Sequence, residues 1–200
     1  MPISVNSISP FTGPIDGNTL VTITGSNFVQ TDQIMLRFSN GSLMNIVSAS
    51  FVDTQHITCI TPEFAMPVVA NVSVALNGQQ YSEDTVPFSF YVTPVTVIST
   101  SPMSGPVSGN TMLDIYGVNF TDTSEIIVRF MNMTTVVYAN GTYVSHSHIR
   151  CVSPPFPLST AVVFVDVALN GQQFTSNHVT YYYYGMFDSM SSVVTLFRHS

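Results

Sequence analysis

The heptad Val74-Ala75-Leu76-Asn77-Gly78-Gln79-Gln80 returns unchanged as Val167-Ala168-Leu169-Asn170-Gly171-Gln172-Gln173. A repeat of that length means one structural unit used more than once, and it limits the fold before composition does. Aligning the halves on it brings other residues into step. Pro10, Gly13 and Pro14 stand against Pro102, Gly105 and Pro106. Gly17-Asn18-Thr19 stands against Gly109-Asn110-Thr111, and Arg37-Phe38 against Arg129-Phe130. His56-Ile57 and Cys59 match His148-Ile149 and Cys151. These pairs lie 92 positions apart and the heptads 93, so one residue has been added between Cys151 and Val167. The spacing predicts two copies of one domain, residues 1–92 and 93–185, followed by an unmatched tail, 186–200.

Within each copy, short alternating runs are separated by turn formers. In the first copy Ser4–Ser9, Leu20–Ile23, Ile34–Phe38, Leu43–Ala49, His56–Ile60, Val68–Leu76 and Gln79–Tyr91 read as strands, with Thr12–Asn18 dense in turn residues. Asn77-Gly78 reads as a type I′ hairpin turn, which requires φ > 0 at both central residues. About seven strands per copy and no helical periodicity predict an all-β fold: two tandem antiparallel β-sandwiches of immunoglobulin-like type plus a short C-terminal β-prone tail. The join, Phe90 to Val97, has no Gly-Ser tract. The last strand of copy one is expected to run almost directly into copy two as a semi-rigid, end-to-end pair.

Each copy resembles an IPT/TIG domain. The resemblance rests on Ile8-Ser9-Pro10 through Gly13-Pro14, Gly17-Asn18-Thr19, Gly25-Ser26-Asn27-Phe28, Ile57-Thr58-Cys59-Ile60-Thr61-Pro62 and Leu76-Asn77-Gly78. The second copy repeats it through Gly117-Val118-Asn119-Phe120, Ile149 to Pro154 and Leu169-Asn170-Gly171. It implies an immunoglobulin-like sandwich and leaves the activity open. Domains of this family occur in cell-surface receptors of the plexin type, in adhesion proteins, in transcription factors and beside glycosidase domains.

Composition narrows the choice. Charged residues make up 8% of the chain, against about 25% in an ordinary globular domain. Lys is absent, and four dispersed Arg on a chain of net charge −7 cannot displace counterions from a polyanion, so no nucleic-acid partner is expected. No apolar run is long enough to predict a membrane span in this segment. Met1-Pro2-Ile3-Ser4 lacks the basic start and apolar core of a signal peptide, so the chain is expected to be intracellular, already processed or an excerpt, and its sequons favour the last two. Asn40, Asn71, Asn119, Asn132 and Asn140 each head an Asn-x-Ser/Thr tripeptide, which points to N-linked glycans and an extracellular or cell-surface location. Asn71 is expected to face outward from its strand. Asn40 and Asn140 precede Gly in expected hairpin turns, whereas Asn119 lies in the Gly-x-Asn-Phe signature, where a local hydrogen-bonding role competes.

No catalytic constellation is legible, and no enzyme activity, cofactor or metal is expected. Cys59 and Cys151 occupy equivalent strand positions on the core face and are expected to be buried free thiols. The resemblance implies an intradomain bridge in relatives that carry a second, earlier Cys; this chain has none. His56 with Cys59, and His148 with Cys151, are three residues apart along a strand and point to opposite faces, which does not suit a shared metal. His146 and His148 share a face without a third ligand. The acids do not repeat between copies, so no calcium loop is expected. Arg37 and Arg129 are expected on the outer face beside an acid. Of the four tyrosines Tyr181 to Tyr184, two should face the core.

The resulting expectation is a non-catalytic extracellular structural or adhesion segment that contacts other proteins. Its bolder form self-assembles into a filament or surface coat through a tail strand carrying Val193, Val194, Leu196 and Phe197. Two alternatives stay open: a ligand-binding receptor ectodomain segment, and a carbohydrate-related accessory module of a larger enzyme.

Overall fold

A computed structural model describes residues 2–157 and 160–185. The tail strand expected at Val193 to Phe197 lies outside them. Among the described residues every regular element is a strand.

The first copy begins with β1 (Ser4–Ser9), β2 (Thr12–Pro14), β3 (Leu20–Ser26), β4 (Met35–Ser39), β5 (Met44–Ser48) and β6 (Ser50–Asp53). It closes with β7 (His56–Ile60), β8 (Val68–Ala75) and β9 (Val86–Tyr91). One sheet runs β1-β3-β7-β6 and the other β2-β9-β8-β4-β5. Alternation decides which side chains meet between them. Val21 and Ile23 of β3, Ile57 and Cys59 of β7, Leu36 and Phe38 of β4, and Phe88 and Phe90 of β9 are all buried. The Phe38 and Phe88 rings meet edge to face at 5.9 Å, a favoured aromatic geometry.

The second copy repeats the plan with β10 (Thr96–Ser101), β11 (Ser104–Pro106), β12 (Met112–Val118), β13 (Ile127–Met131) and β14 (Val136–Ser145). β15 (His148–Val152), β16 (Ala161–Ala168) and β17 (Val179–Tyr184) complete it. Its core substitutes Tyr181 and Tyr183 for Phe88 and Phe90. The buried Tyr183 hydroxyl donates to the Pro154 carbonyl at 2.8 Å, which satisfies it.

Three sequence expectations change. The Thr12–Asn18 stretch is not all turn: Thr12–Pro14 pairs in parallel with β9, and Ser104–Pro106 pairs likewise with β17. After Pro10 the chain crosses from one sheet to the edge of the other, so the sandwich is not purely antiparallel. Asn140-Gly141 is not a hairpin turn. β14 runs straight through it, pairing with β13 before Gly141 and with β15 from Gly141 onward, and so belongs to both sheets. Here the missing side chain matters, because a Cβ on Gly141 would lie 2.5 Å from Ile126 Cγ2. In copy one Ala49 holds the equivalent place, and the strand breaks there into β5 and β6. Finally, the heptad does not form a type I′ turn. Only Gly78 (φ 69°) and Gly171 (φ 72°) are left-handed. Asn77 Oδ1 instead accepts from the backbone N–H of Gln79 (3.1 Å) and Gln80 (2.9 Å), an Asx turn.

The Gly-x-Asn-Phe signature also gains a cause. A Cβ on Gly25 would stand 2.1 Å from the Ser4 carbonyl oxygen and 2.5 Å from the Phe28 ring. Only glycine lets β1 and the buried Phe28 close on that point. Asn27 follows with φ 63°, and its amide donates to the Pro2 carbonyl at 2.8 Å. Gly117 and Asn119 repeat the arrangement.

The two copies meet through the second heptad. Gln172 pairs with both backbone groups of Leu20: the Leu20 N–H donates to Oε1 (3.1 Å), and Nε2 donates to the Leu20 carbonyl (2.9 Å). Gln173 Nε2 donates to the Asn18 carbonyl (2.9 Å), and the Thr19 hydroxyl donates to Gln173 Oε1 (3.2 Å). Asn170 Nδ2 reaches Thr19 Oγ1 (3.3 Å) and the Thr12 carbonyl (3.4 Å). Tyr91 is buried in the second core although it ends the first copy. Glu125 approaches the Phe11 amide, and burial there raises its carboxyl above the ordinary value of 4.5.

Candidate functional site

The outer face of the second copy's five-strand layer is built by alternation along three strands. Inward residues of β16, Val163, Val165 and Val167, are buried, which leaves Val162 and Phe164 outward. In β17 Tyr181 and Tyr183 face the core, while Tyr182 (53% exposed) and Tyr184 (49%) face out. In β14 Val136 and Tyr138 (57%) take the same side. Register brings them together: Val162 lies opposite Tyr182, and Met131 lies opposite both Phe164 and Val136.

A charged cluster anchors the middle of this face. Arg129 lies opposite Asp166 on one side and Tyr138 on the other. Its Nη2 donates to Asp166 Oδ2 at 2.8 Å, and its guanidinium sits 4.3 Å over the Phe174 ring. His178 Nδ1 lies 3.2 Å from Asp166 Oδ1, and its ring is 5.0 Å from Phe164. Asp166 is fully buried, so its two carboxylate oxygens find their partners in Arg129 and His178 instead of in water. The pairing sets exposed aromatic side chains around an arginine held by an ion pair and a ring.

Copy one carries no such aromatic face; the exposed apolar side chains there, Val69, Met44 and Ile46, are aliphatic. Asn71 stands where Phe164 does, Ser89 where Tyr182 does, and Ile46 where Tyr138 does. Arg37 has Ser73 in place of an acid, donating to its hydroxyl at 3.2 Å, and stacks over Tyr81 at 4.3 Å. The expected acid is therefore found for Arg129 and replaced by a hydroxyl for Arg37.

On the opposite sheet of copy two, Asp114 Oδ1 receives Arg150 Nε at 2.7 Å and lies 2.8 Å from His148 Nε2. Arg150 first, then His148, hold its carboxyl below the usual value. Tyr116 stacks on His148 at 4.9 Å. Copy one has Thr22, Thr24 and Thr58 at three of these four positions, so both polar networks belong to the second copy.

Among the sequons, Asn40, Asn71 and Asn140 are exposed and Asn119 and Asn132 half-buried. Asn40 and Asn132 cap equivalent turns: Asn40 Oδ1 accepts from Ser42 and Leu43, and Asn132 Oδ1 from Thr134 and Thr135. Asn71 projects from β8 beside the surface that is aromatic in copy two. Asn119 Nδ2 donates to the Pro94 carbonyl (2.8 Å), as Asn27 Nδ2 does to the Pro2 carbonyl, so it takes part in the local hydrogen bonding of the Gly-x-Asn-Phe signature. Cys59 and Cys151 are buried free thiols, and burial pushes both to about 12. No three His, Cys, Asp or Glu converge as a metal site among the described residues. Sequence reasoning missed Asp166, Phe164 and Val162; alternation along Ala161–Ala168 carried the signal. It also assigned no role to Gln172 and Gln173, although their identity with Gln79 and Gln80 was visible.

The IPT/TIG domain family model matches residues 2–90 and again residues 94–183. Plexin-A3 of Rattus norvegicus is 28% identical over 188 residues, covering 90% of this chain and 10% of that protein. Fibrocystin-L of Mus musculus is 28% identical over 177 residues, 86% of this chain and 4% of its own length. The chain thus spans a small fraction of the curated relatives it matches. Among solved structures, the plexin A4 full extracellular region superposes with a TM-score of 0.58 at 20% identity, over 90% of this chain and 16% of that one. At that identity the likeness concerns the fold.

Proposed function

Since the chain belongs to the IPT/TIG domain family, twice over, we propose that it is a non-catalytic segment of an extracellular protein, built for contact with other proteins. The observation that carries this reading is the aromatic outer face of copy two. Large apolar side chains gathered on an otherwise low-charge surface mark interaction sites, and Tyr with a fixed Arg is the composition favoured at contact centres. At the place of Phe164, copy one has the sequon residue Asn71 beside the exposed aliphatic Val69, Met44 and Ile46, so a glycan at Asn71 would cover in copy one the surface that copy two presents as aromatic. The partners in this reading are other proteins, copies of this chain included, in a structural or adhesive role that extends to filaments or a surface coat.

The concentration of aromatics on one domain favours a second reading, a receptor segment that binds a separate ligand. Both are tested with chain secreted from a eukaryotic host. Intact mass should rise by glycan increments at Asn40, Asn71, Asn132 or Asn140. Surfaces coated with wild-type chain should bind cells or soluble chain, and Phe164→Lys with Tyr182→Lys should lower that binding at least tenfold. Soluble chain as the bound species supports the structural reading, and cells alone the receptor reading. An unmodified chain whose binding ignores both substitutions sinks the proposal.

A further inference from the structure

We propose that the Asn77–Gln80 turn of copy one is a docking site for the Gly109–Met112 turn of a second copy of this chain, so that chains join head to tail. The inference rests on the contact-module reading and names a surface and a partner for it.

The joint already exists once inside the molecule, where the Asn170–Gln173 turn sits on Gly17–Leu20. Both halves of that joint occur a second time. The donor turn recurs with an identical sequence and an identical internal brace. Asn77 Nδ2 donates to Gln80 Oε1 at 2.7 Å, and Asn170 Nδ2 to Gln173 Oε1 at 2.6 Å. Asn77 Oδ1 accepts from Gln79 and Gln80 as Asn170 Oδ1 accepts from Gln172 and Gln173. The acceptor turn recurs as well. Gly17 and Asn18 have φ 69° and 61°, and Gly109 and Asn110 have φ 75° and 61°. The atoms contacted are backbone groups of residues 12, 18 and 20 plus one threonine hydroxyl. Ser104, Asn110, Met112 and Thr111 supply the same set, so the side-chain changes at those positions cost no hydrogen bond.

Burial separates the used halves from the spare ones. Asn170 and Leu169 are buried, whereas Asn77 is exposed and Leu76 half-buried. Thr12 and Thr19 are buried, whereas Ser104 is exposed and Thr111 half-buried. Two exposed glutamines held in a docking conformation, with no contact across to another domain among the described residues, are what an unfilled copy of the joint looks like. One substitution makes the spare joint easier to form. Gln33 stands where Glu125 meets the Phe11 amide, and an amide accepts that hydrogen bond without the cost of desolvating a carboxylate. The contact is heterologous, so it adds chain to chain as a string, or as a ring where the rotation per chain closes.

Within the chain, the Tyr91–Val95 tether gives the joint an effective concentration on the order of millimolar. Between chains that help is absent, and association should appear toward that same range. The test is sedimentation velocity of full chain from about 10 μM to 1 mM, with amide chemical-shift mapping in parallel. Wild type should associate with rising concentration, and the moving amides should be those of residues 77–80 and 109–112. Gln79→Ala with Gln80→Ala, exposed positions of which only Gln80 bonds to its own turn through Asn77 Nδ2, should weaken association at least tenfold, and Gln79→Ala alone, which leaves that brace in place, should weaken it in the same direction. A monomer throughout the range, or association that the double variant leaves unchanged, overturns the inference. If association survives that variant but is lost in Phe164→Lys, the turn joint is refuted while contact through the aromatic face stands. Turn-dependent association that is indifferent to Phe164→Lys supports the joint and separates it from that face.

Discussion

Replacing Asp166 with Ser puts the arginine pair of the two copies to a direct comparison. Asp166 is fully buried and holds Arg129 at 2.8 Å and His178 at 3.2 Å. Removing one partner of a buried pair costs about 3–5 kcal/mol, because the other charge is left without compensation. Two observations lower that figure. The Arg129 side chain keeps 23% exposure, so water reaches part of it. Copy one already runs the same site with serine, since Arg37 donates to Ser73 at 3.2 Å. The expected loss is about 2–3 kcal/mol, below the full buried-pair penalty. With a urea slope of about 2 kcal/mol/M, the midpoint of copy two should fall by about 1–1.5 M. Tyrosine fluorescence follows this copy selectively, because seven of the nine tyrosines lie in residues 96–184 and there is no tryptophan to mask them. Far-ultraviolet dichroism follows both copies, and the copy-one transition should hold its midpoint. A tyrosine transition that moves by less than about 0.3 M on that same slope would show that the carboxylate contributes little and that Ser73 is as good a partner.

Four further outcomes follow from the same contacts. Gly117→Ala would drive a Cβ to 2.2 Å from the Thr96 carbonyl oxygen and 2.4 Å from the Phe120 ring. It should cost about 1–3 kcal/mol by overpacking, and an unchanged Tm of copy two argues against the close-approach role. Glu125 binds its proton more tightly in the folded chain than in the unfolded one, so stability should decline as pH rises from 4.5 through the raised value and level off above it. Glu125→Gln should flatten that decline in urea midpoints taken across the window, and parallel pH curves for the two proteins refute it. Gln172→Ala with Gln173→Ala removes four of the hydrogen bonds between copies. It should broaden interdomain orientation in small-angle scattering while each copy keeps its own midpoint; an unchanged scattering profile counts against the lock. Cys59 and Cys151, with thiols pushed to about 12 by burial, should stay inert to a disulfide reagent at pH 8 until urea opens their own copy, and rapid labelling of native chain contradicts their core placement.

Much of the architecture could be read without coordinates because it depends on period and alternation. The spacing of 92 between Cys59 and Cys151 carries the tandem organisation. The two-residue period of His56–Ile60 places Ile57 and Cys59 inward, and the run Tyr181–Tyr184 splits its rings between core and solvent. Local chemistry misled where two conformations were equally open to the same residues. Asn77-Gly78 is compatible with a type I′ turn, but the Asn77 carboxamide bonds to its own backbone, and only Gly78 turns left-handed. Asn140-Gly141 has the composition of a turn, yet β14 has partners on both sides that hold it extended.

What the sequence settles by itself is therefore what repeats along one dimension: the β class, the two copies, the inward and outward side of each strand, and the glycine of the Gly-x-Asn-Phe signature. What only the tertiary structure decides is which distant residues share a face or a joint. The aromatic surface forms because register sets Val162 against Tyr182 and Met131 against Phe164. Its charged centre forms because Arg129 and Asp166, 37 residues apart, fall in line on adjacent strands. The lock between copies joins Leu20 to Gln172 across 152 residues. Alternation is a property of the local backbone, whereas register and docking are fixed by how whole sheets bury their cores. Identical turns can thus be buried against a neighbouring copy in one case and exposed in the other.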